Sequence, residues 1–239
     1  MRYSVAVAGA GSVAAGLLLA ACTSSSAPAA PAPDTASLTA VAGRSSATLN
    51  VLTGTAILTI KTANFGAGGS LLRVGTPPGG PAPHLRDTTA QPGGSTDVFL
   101  SAPGAAQVTV TLNTAVAWQL NLGGGTARTS ADLRGGQVTG IVITAGSDVI
   151  NLALPRPRGD VRVQLAAGAS QFLLSRPEGV PAQVIVNGGA GNVSLDGHDY
   201  VGVAAGAVFS TAGWGTGTAS FDVDATAGAD QVTVTARSS

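Results

Sequence analysis

A single cysteine among 239 residues leaves the chain unable to form an internal disulfide or a thiolate metal cage. Histidine is almost as scarce: His84 and His198 are the two present, and soft or borderline metals prefer several His or Cys ligands. Charged residues make up 10 % and divide 12 against 12, so nothing implies the basic surface that nucleic acid requires. Aromatics reach only 4 %, which argues against a sugar-stacking platform and leaves Trp118 and Trp214 as core residues or isolated contacts. Lys and Glu, which favour helices, are rare. The many serines include no G-x-S-x-G nucleophile elbow. No catalytic residue, cofactor or metal ligand is therefore expected, and the chain reads as no enzyme.

Glycine is abundant, at 34 residues, and Val, Thr and Ala dominate the rest, a composition that favours strands and an all-β class. Turns centred on Gly104, Gly125, Gly146, Gly168, Gly189, Gly206 and Gly228 follow one another at 21, 21, 22, 21, 17 and 22 residues. In so glycine-rich a chain the flanks carry more weight than the spacing. Four and six residues past the glycine stand Val108 and Val110, Ile150 and Leu152, Phe172 and Leu174, Val193 and Leu195, Val232 and Val234. Gly54 and Gly68 lead in the same way to Leu58 and Ile60, and to Leu72 and Val74, whereas Gly125 and Gly206 break the rule. The period of two, as in AQVTVTL, VRVQL and FDVDA, marks strands with one buried face, which places Val163 inward and Arg162 outward. A unit of about 21 residues cannot bury its own apolar face, but stacked units share a continuous core. The expected fold is a β-solenoid of roughly 20-residue units over residues 38–239, with a β-sandwich as the alternative. GTPPGGPAPHLRDTTAQPGGS, residues 75–95, is too long and too rich in Pro and Gly for a corner, and is expected to be a protruding or disordered loop of the kind that can carry recognition.

Two stretches imitate sites. GGAGNVSLD, Gly188 to Asp196, resembles one calcium-binding nonapeptide of the RTX type, yet Val193 stands where an oxygen ligand is required and no tandem copy follows, so calcium is not expected. His198 and Asp199 lie close to Asp196 and suggest a metal or acid/base pair; the reading adopted is a polar loop after an Asp196–Gly197 turn.

The N-terminus explains the cysteine. VAGAGSVAA matches the dinucleotide fingerprint through Gly9, Gly11 and Ala14, but it lies in an apolar run, Val5 to Ala21, that ends in small residues and a Ser/Pro/Ala tract rather than in a folded βαβ unit. That run follows Arg2, and at about 17 residues it fits a signal peptide better than a membrane span, which needs roughly 20. Leu19, Ala20, Ala21 and Cys22 resemble the lipobox of bacterial lipoproteins. The resemblance implies that residues 1–21 are removed, that Cys22 carries a diacylglyceryl group, and that the chain is held at the extracytoplasmic face of the cell membrane. Residues 22–37 then form a Pro-rich tether of about 45 Å at 3.1 Å per residue.

Residues 131–197, with their AGAS turn, LPRPRG and RPEGVP, resemble the toastrack or adhesin-like β-solenoid domains of bacterial envelope proteins, a similarity that runs over roughly 100–236. That family supplies architecture and location and no general catalytic set. The implied function is a non-catalytic structural, binding or adhesin-like module of the envelope, partnered by the membrane through Cys22 and by an envelope protein or cell-wall component. The alternative is an accessory sensor that presents its solenoid to an envelope-stress signalling partner.

Overall fold

The computed structural model describes residues 33–39, 44–66, 68–88, 96–217 and 219–238. Cys22, residues 1–21, expected as a signal peptide, and most of residues 22–37, expected as a tether, lie outside the described residues. Among those described, every regular element is a strand. β1 is Pro33–Thr39, β2 Ser46–Val51, β3 Thr55–Ala63, β4 Ser70–Pro78, β5 His84–Thr88, β6 Thr96–Ser101 and β7 Gln107–Asn113. β8 is Ala117–Leu122, β9 Thr126–Asp132, β10 Gln137–Ile143, β11 Ser147–Ala153, β12 Val161–Leu165 and β13 Ala169–Pro177. β14 is Ala182–Val186, β15 Ala190–Leu195, β16 His198–Val203, β17 Ala207–Ser210, β18 Phe221–Ala225 and β19 Ala229–Arg237.

Two sheets result, one of ten strands in the order β1-β4-β7-β3-β9-β11-β13-β19-β15-β16 and one of nine in the order β17-β14-β18-β12-β10-β8-β2-β6-β5. A strand of the second sheet, a sharp corner and the next strand of the first sheet make one coil. The seven coils β2–β3, β6–β7, β8–β9, β10–β11, β12–β13, β14–β15 and β18–β19 pair in parallel with their neighbours throughout. The solenoid expected from the repeat is this central stack.

Parallel, in-register pairing turns the alternation of each strand into rows that run the length of the stack. Val108, Leu58, Thr129, Ile150, Phe172, Val232 and Val193 form one inward row of the ten-stranded sheet, and none is more than 3 % exposed. Val98, Leu49, Leu120, Ile141, Val163, Val223 and Val184 face them from the other sheet, all fully buried. Gly125 lies in the corner of a coil like the other turn glycines. Its inward positions are Thr129 and Ala131, buried at 3 % and 2 %, and the Thr129 hydroxyl is satisfied by that of Thr126 at 2.8 Å, which is why a polar residue fits the row. Gly206 stands apart because it precedes β17, which runs antiparallel to β14.

The coils do not stack in chain order at the two ends. After β2–β3 the chain runs through β4 and β5 before β6–β7 fills the place between them and β2–β3. Toward the C-terminus, β14–β15 is laid down one place away from β12–β13, β16 and β17 follow, and β18–β19 inserts into the gap. β4 and β5 at one end, β16 and β17 at the other, pair antiparallel with the outermost coils and cap them. The loop expected over 75–95 is therefore corrected in part: residues 75–78 complete β4, 79–83 connect it to β5 at 84–88, and 89–95 fall outside the described residues. β5 escaped notice because an edge strand reading HLRDT carries one apolar residue, Leu85, and has no alternation to detect. Residues 33–37, assigned to the tether, lie in β1, which pairs antiparallel with β4.

The out-of-order junctions have the closest backbone contacts. A Cβ on Gly188, in the β14–β15 corner, would lie 2.3 Å from the carbonyl carbon of Ala227 in the inserted coil, whereas one on Gly146, between coils adjacent in sequence, would lie 3.5 Å from Gly168 O. Gly188→Ala should therefore lower stability by about 1–3 kcal/mol, as overpacking does, and Gly146→Ala should change it by less than about 1 kcal/mol. Urea midpoints compare the two directly; equal losses would mean that the corners are packed alike.

One ion pair spans the inserted coil. Arg176, at the end of β13 and 3 % exposed, reaches past β19 to the carboxylate of Asp196 at the end of β15 and donates from Nη1 to Val180 O at 2.5 Å. Asp196 Oδ1 accepts from Ala236 N of β19 at 2.8 Å. Asp196→Asn keeps a residue tolerant of the local φ of +49° but removes the charge from a pair whose side chains are 4 % and 31 % exposed. The loss should fall between the surface and buried limits, about 2 kcal/mol. His198→Ala, two residues away and exposed, should cost under about 0.5 kcal/mol, and thermal unfolding of the two variants measures the contrast.

Candidate functional site

The residues that drew attention in the sequence do not converge. His84 begins β5 and His198 begins β16, exposed at opposite ends of the stack. Asp196 and Gly197 form the two-residue turn between β15 and β16 at φ +49° and +84°, and the Asp196 carboxylate is engaged by Arg176. Asp199 is exposed opposite Ser194. Val193, in the calcium-like nonapeptide, points into the core. Trp118 is a core residue whose Nε1 donates to Asn113 O at 3.0 Å, while Trp214 is half-buried in the 211–217 turn. Among the described residues no three of His, Cys, Asp or Glu gather as metal ligands. Cys22 lies outside the described residues.

What the coils do bring together is cationic. A groove of about 800 Å³ follows the ends of the ten-stranded sheet's strands, where each coil turns back toward the other sheet. Lys61 at the end of β3, Arg134 after β9, Arg156 after β11 and Arg237 ending β19 line it, with Asp132 as its one carboxylate and Pro155 and Pro177 on its walls. Those strands belong to the adjacent run β3-β9-β11-β13-β19, so the groove crosses four strand spacings, about 19 Å.

Two of the three guanidinium groups are held by backbone carbonyls and the third by a carboxylate. Arg237 Nη2 donates to Leu154 O at 2.5 Å and Arg156 Nη2 to Glu178 O at 3.2 Å, while Arg237 Nε is buried without a partner. Arg134 donates to Asp132 from Nε at 2.7 Å and Nη2 at 2.5 Å. That hydrogen bond holds the Asp132 carboxyl below its ordinary range and Arg134 above its own. Arg237 moves the other way: burial first and the charge of Arg134 second make its guanidinium a weaker base than usual. Four cations against one carboxylate leave three positive charges unbalanced in the groove. This suits the binding of an anion by charge-assisted hydrogen bonds.

Sequence reasoning missed this groove because positions 61, 134, 156 and 237 are remote along the chain. One signal was available: Arg134 and Arg156 follow Leu133 and Leu154, the last inward residues of their coils, at a separation of 22 residues that matches the repeat.

A second charged group lies on the outer face of the nine-stranded sheet. Arg162 faces outward as expected, but it also pairs with Asp224 at 2.5 Å, which is 4 % exposed and accepts a further bond from Asn187 Nδ2 at 2.9 Å. Beside them burial raises the Asp222 carboxyl, with Arg162 opposing and Asp224 and Asp160 adding. The bonds run between adjacent strands and stitch coils together.

No protein-family model matches the chain, and no curated protein matches it. Among solved structures, the chain is similar to a candidate cell adhesion protein from Clostridium sporogenes, at 16 % identity and a TM-score of 0.66, over 85 % of this chain and 99 % of that one. The likeness shows a shared all-β fold that extends over the whole length of that neighbour.

Proposed function

We propose that this chain is a non-catalytic, adhesin-like binding module of the bacterial envelope, held at the extracytoplasmic face of the membrane by lipid on Cys22. The observation that carries the reading is the charge of the groove: four cations from four coils arrayed along the stack against the single carboxylate of Asp132, with Arg156 and Arg237 held by backbone carbonyls. The fold shared with a candidate cell adhesion protein supports it, as does the similarity of residues 19–22 to a lipobox and of residues 131–197 to toastrack domains. On this reading the tether serves to hold the module away from the bilayer.

Cys22→Ser should abolish lipid attachment and the cleavage that depends on it, because the thiol is the acceptor. A single acyl chain binds membranes with K on the order of 10⁴ M⁻¹, so it is the two chains of a diacylglyceryl group that make an anchor stable. Metabolic labelling with a fatty-acid analogue, followed by membrane fractionation, should find label and membrane location in the wild type and neither label nor cleavage in the variant. An unlabelled wild type, or equal labelling of both, overturns the anchor. Retention of the purified protein on cell-envelope fragments tests the binding role separately.

A further inference from the structure

We propose that the groove along the strand ends of β3, β9, β11, β13 and β19 binds a linear anionic glycan, one that carries a carboxylate or a phosphodiester at each repeat and lies parallel to the axis of the stack. The inference rests on the binding-module reading and names the ligand class of that site.

Three features of the groove point to this chemistry. The first is concentration of charge. The chain has 12 Lys and Arg against 12 Asp and Glu, yet Lys61, Arg134, Arg156 and Arg237 meet in one groove with Asp132 alone against them. They come from four different coils, so only the stacking brings them together. The second is preorganisation. Backbone carbonyls at Leu154 and Glu178 fix Arg237 and Arg156. Fixed guanidinium forks suit carboxylate and phosphate oxygens, and an anion would also relieve the repulsion between Arg134 and Arg237.

The third is shape. Cations spread over four strand spacings, about 19 Å, match a chain of charges better than a compact ion. The groove is lined by no aromatic side chain, which disfavours both a neutral sugar, held by stacking, and single-stranded nucleic acid, whose bases need such platforms. Charge supplies the affinity and the strand spacing supplies the register.

The test is titration of the full-length chain in detergent micelles with four polymers of similar length: alginate as the polyuronate, poly(glycerol phosphate) as the phosphodiester, neutral dextran and single-stranded DNA. One or both glycan-type anions should bind, weaken in high salt and exceed dextran and DNA, and the stronger of the two identifies the anionic group. Lys61→Gln/Arg134→Gln/Arg156→Gln, all at exposed positions, should weaken binding about tenfold or more, since three of the four cations lose their charge. Asp132→Asn should strengthen it about two- to fivefold, because it removes the opposing charge. Arg86→Gln, where Arg86 lies over Phe99 beyond the groove, should leave binding within about twofold. Unchanged melting temperatures establish that the variants fold. Dextran or DNA binding as tightly as the anionic glycans overturns the ligand class, and undiminished binding by the triple variant overturns the groove. Retention on envelope fragments alongside either result leaves the module reading standing, and absence of any such retention overturns that reading itself.

Discussion

A single coil of this chain cannot bury its own inward side chains, and that constraint governs the rest of the molecule. Two short strands and a corner enclose too little apolar surface, and each coil also leaves a row of backbone donors and acceptors on both edges. Parallel, in-register neighbours solve both problems at once. They also move the problem to the ends, where a row must stop. Here both ends are closed by the same device: strands that run the opposite way, β4 with β5 and β16 with β17, pair on the outermost coils. Two of the edge strands carry charge, Arg86 and Asp87 on β5 and Asp199 on β16, as edges that must not recruit further strands tend to do.

How much of this could be read beforehand follows from what a period of two encodes. It encodes which face is buried, so the pairs Ile150 and Leu152, Phe172 and Leu174, and Val232 and Val234 were legible as inward residues and all are buried. It does not encode which coil lies beside which. Val232 follows Val193 by 39 residues yet sits between it and Phe172, and nothing in the local pattern distinguishes that order from simple succession. The interval of 17 between Gly189 and Gly206 was the one sign of a departure, since β17 belongs to the cap. A polar residue at an inward position hid one element, since Thr129 masked a regular coil. Asp196 was legible as part of a polar turn, but its ion pair was not, because its partner, Arg176, is separated from it by 20 residues and an intervening strand.

The same rule explains why the groove was harder to see than the core. A core row needs only apolar residues, and any coil with the right alternation contributes one. The groove needs particular charges near the place in each coil where the chain leaves the ten-stranded sheet, and two of them, Arg134 and Arg156, lie just past the last inward leucine of their coils. Leu133 with Arg134 and Leu154 with Arg156 are such pairs. Stacking converts their 22-residue separation into a single strand spacing, since β9 and β11 are neighbours. A near-neutral chain can thus present a strongly cationic line without a basic segment anywhere in its sequence.

The inserted coil links these two levels. β19 completes the ten-stranded sheet between β13 and β15, and its last residue, Arg237, is the fourth cation of the groove. Its position is set by contacts on both sides: Glu178 N donates to Arg237 O at 2.9 Å and Ala236 N donates to Asp196 Oδ1 at 2.8 Å. Arg237 also holds Leu154 O across β13. The groove is therefore complete only when the coil that fills the gap is seated, and the Arg176–Asp196 pair that spans that coil supports the binding surface indirectly, by holding the gap at the width of one strand. Stability at the closed end and charge in the groove are consequences of the same insertion.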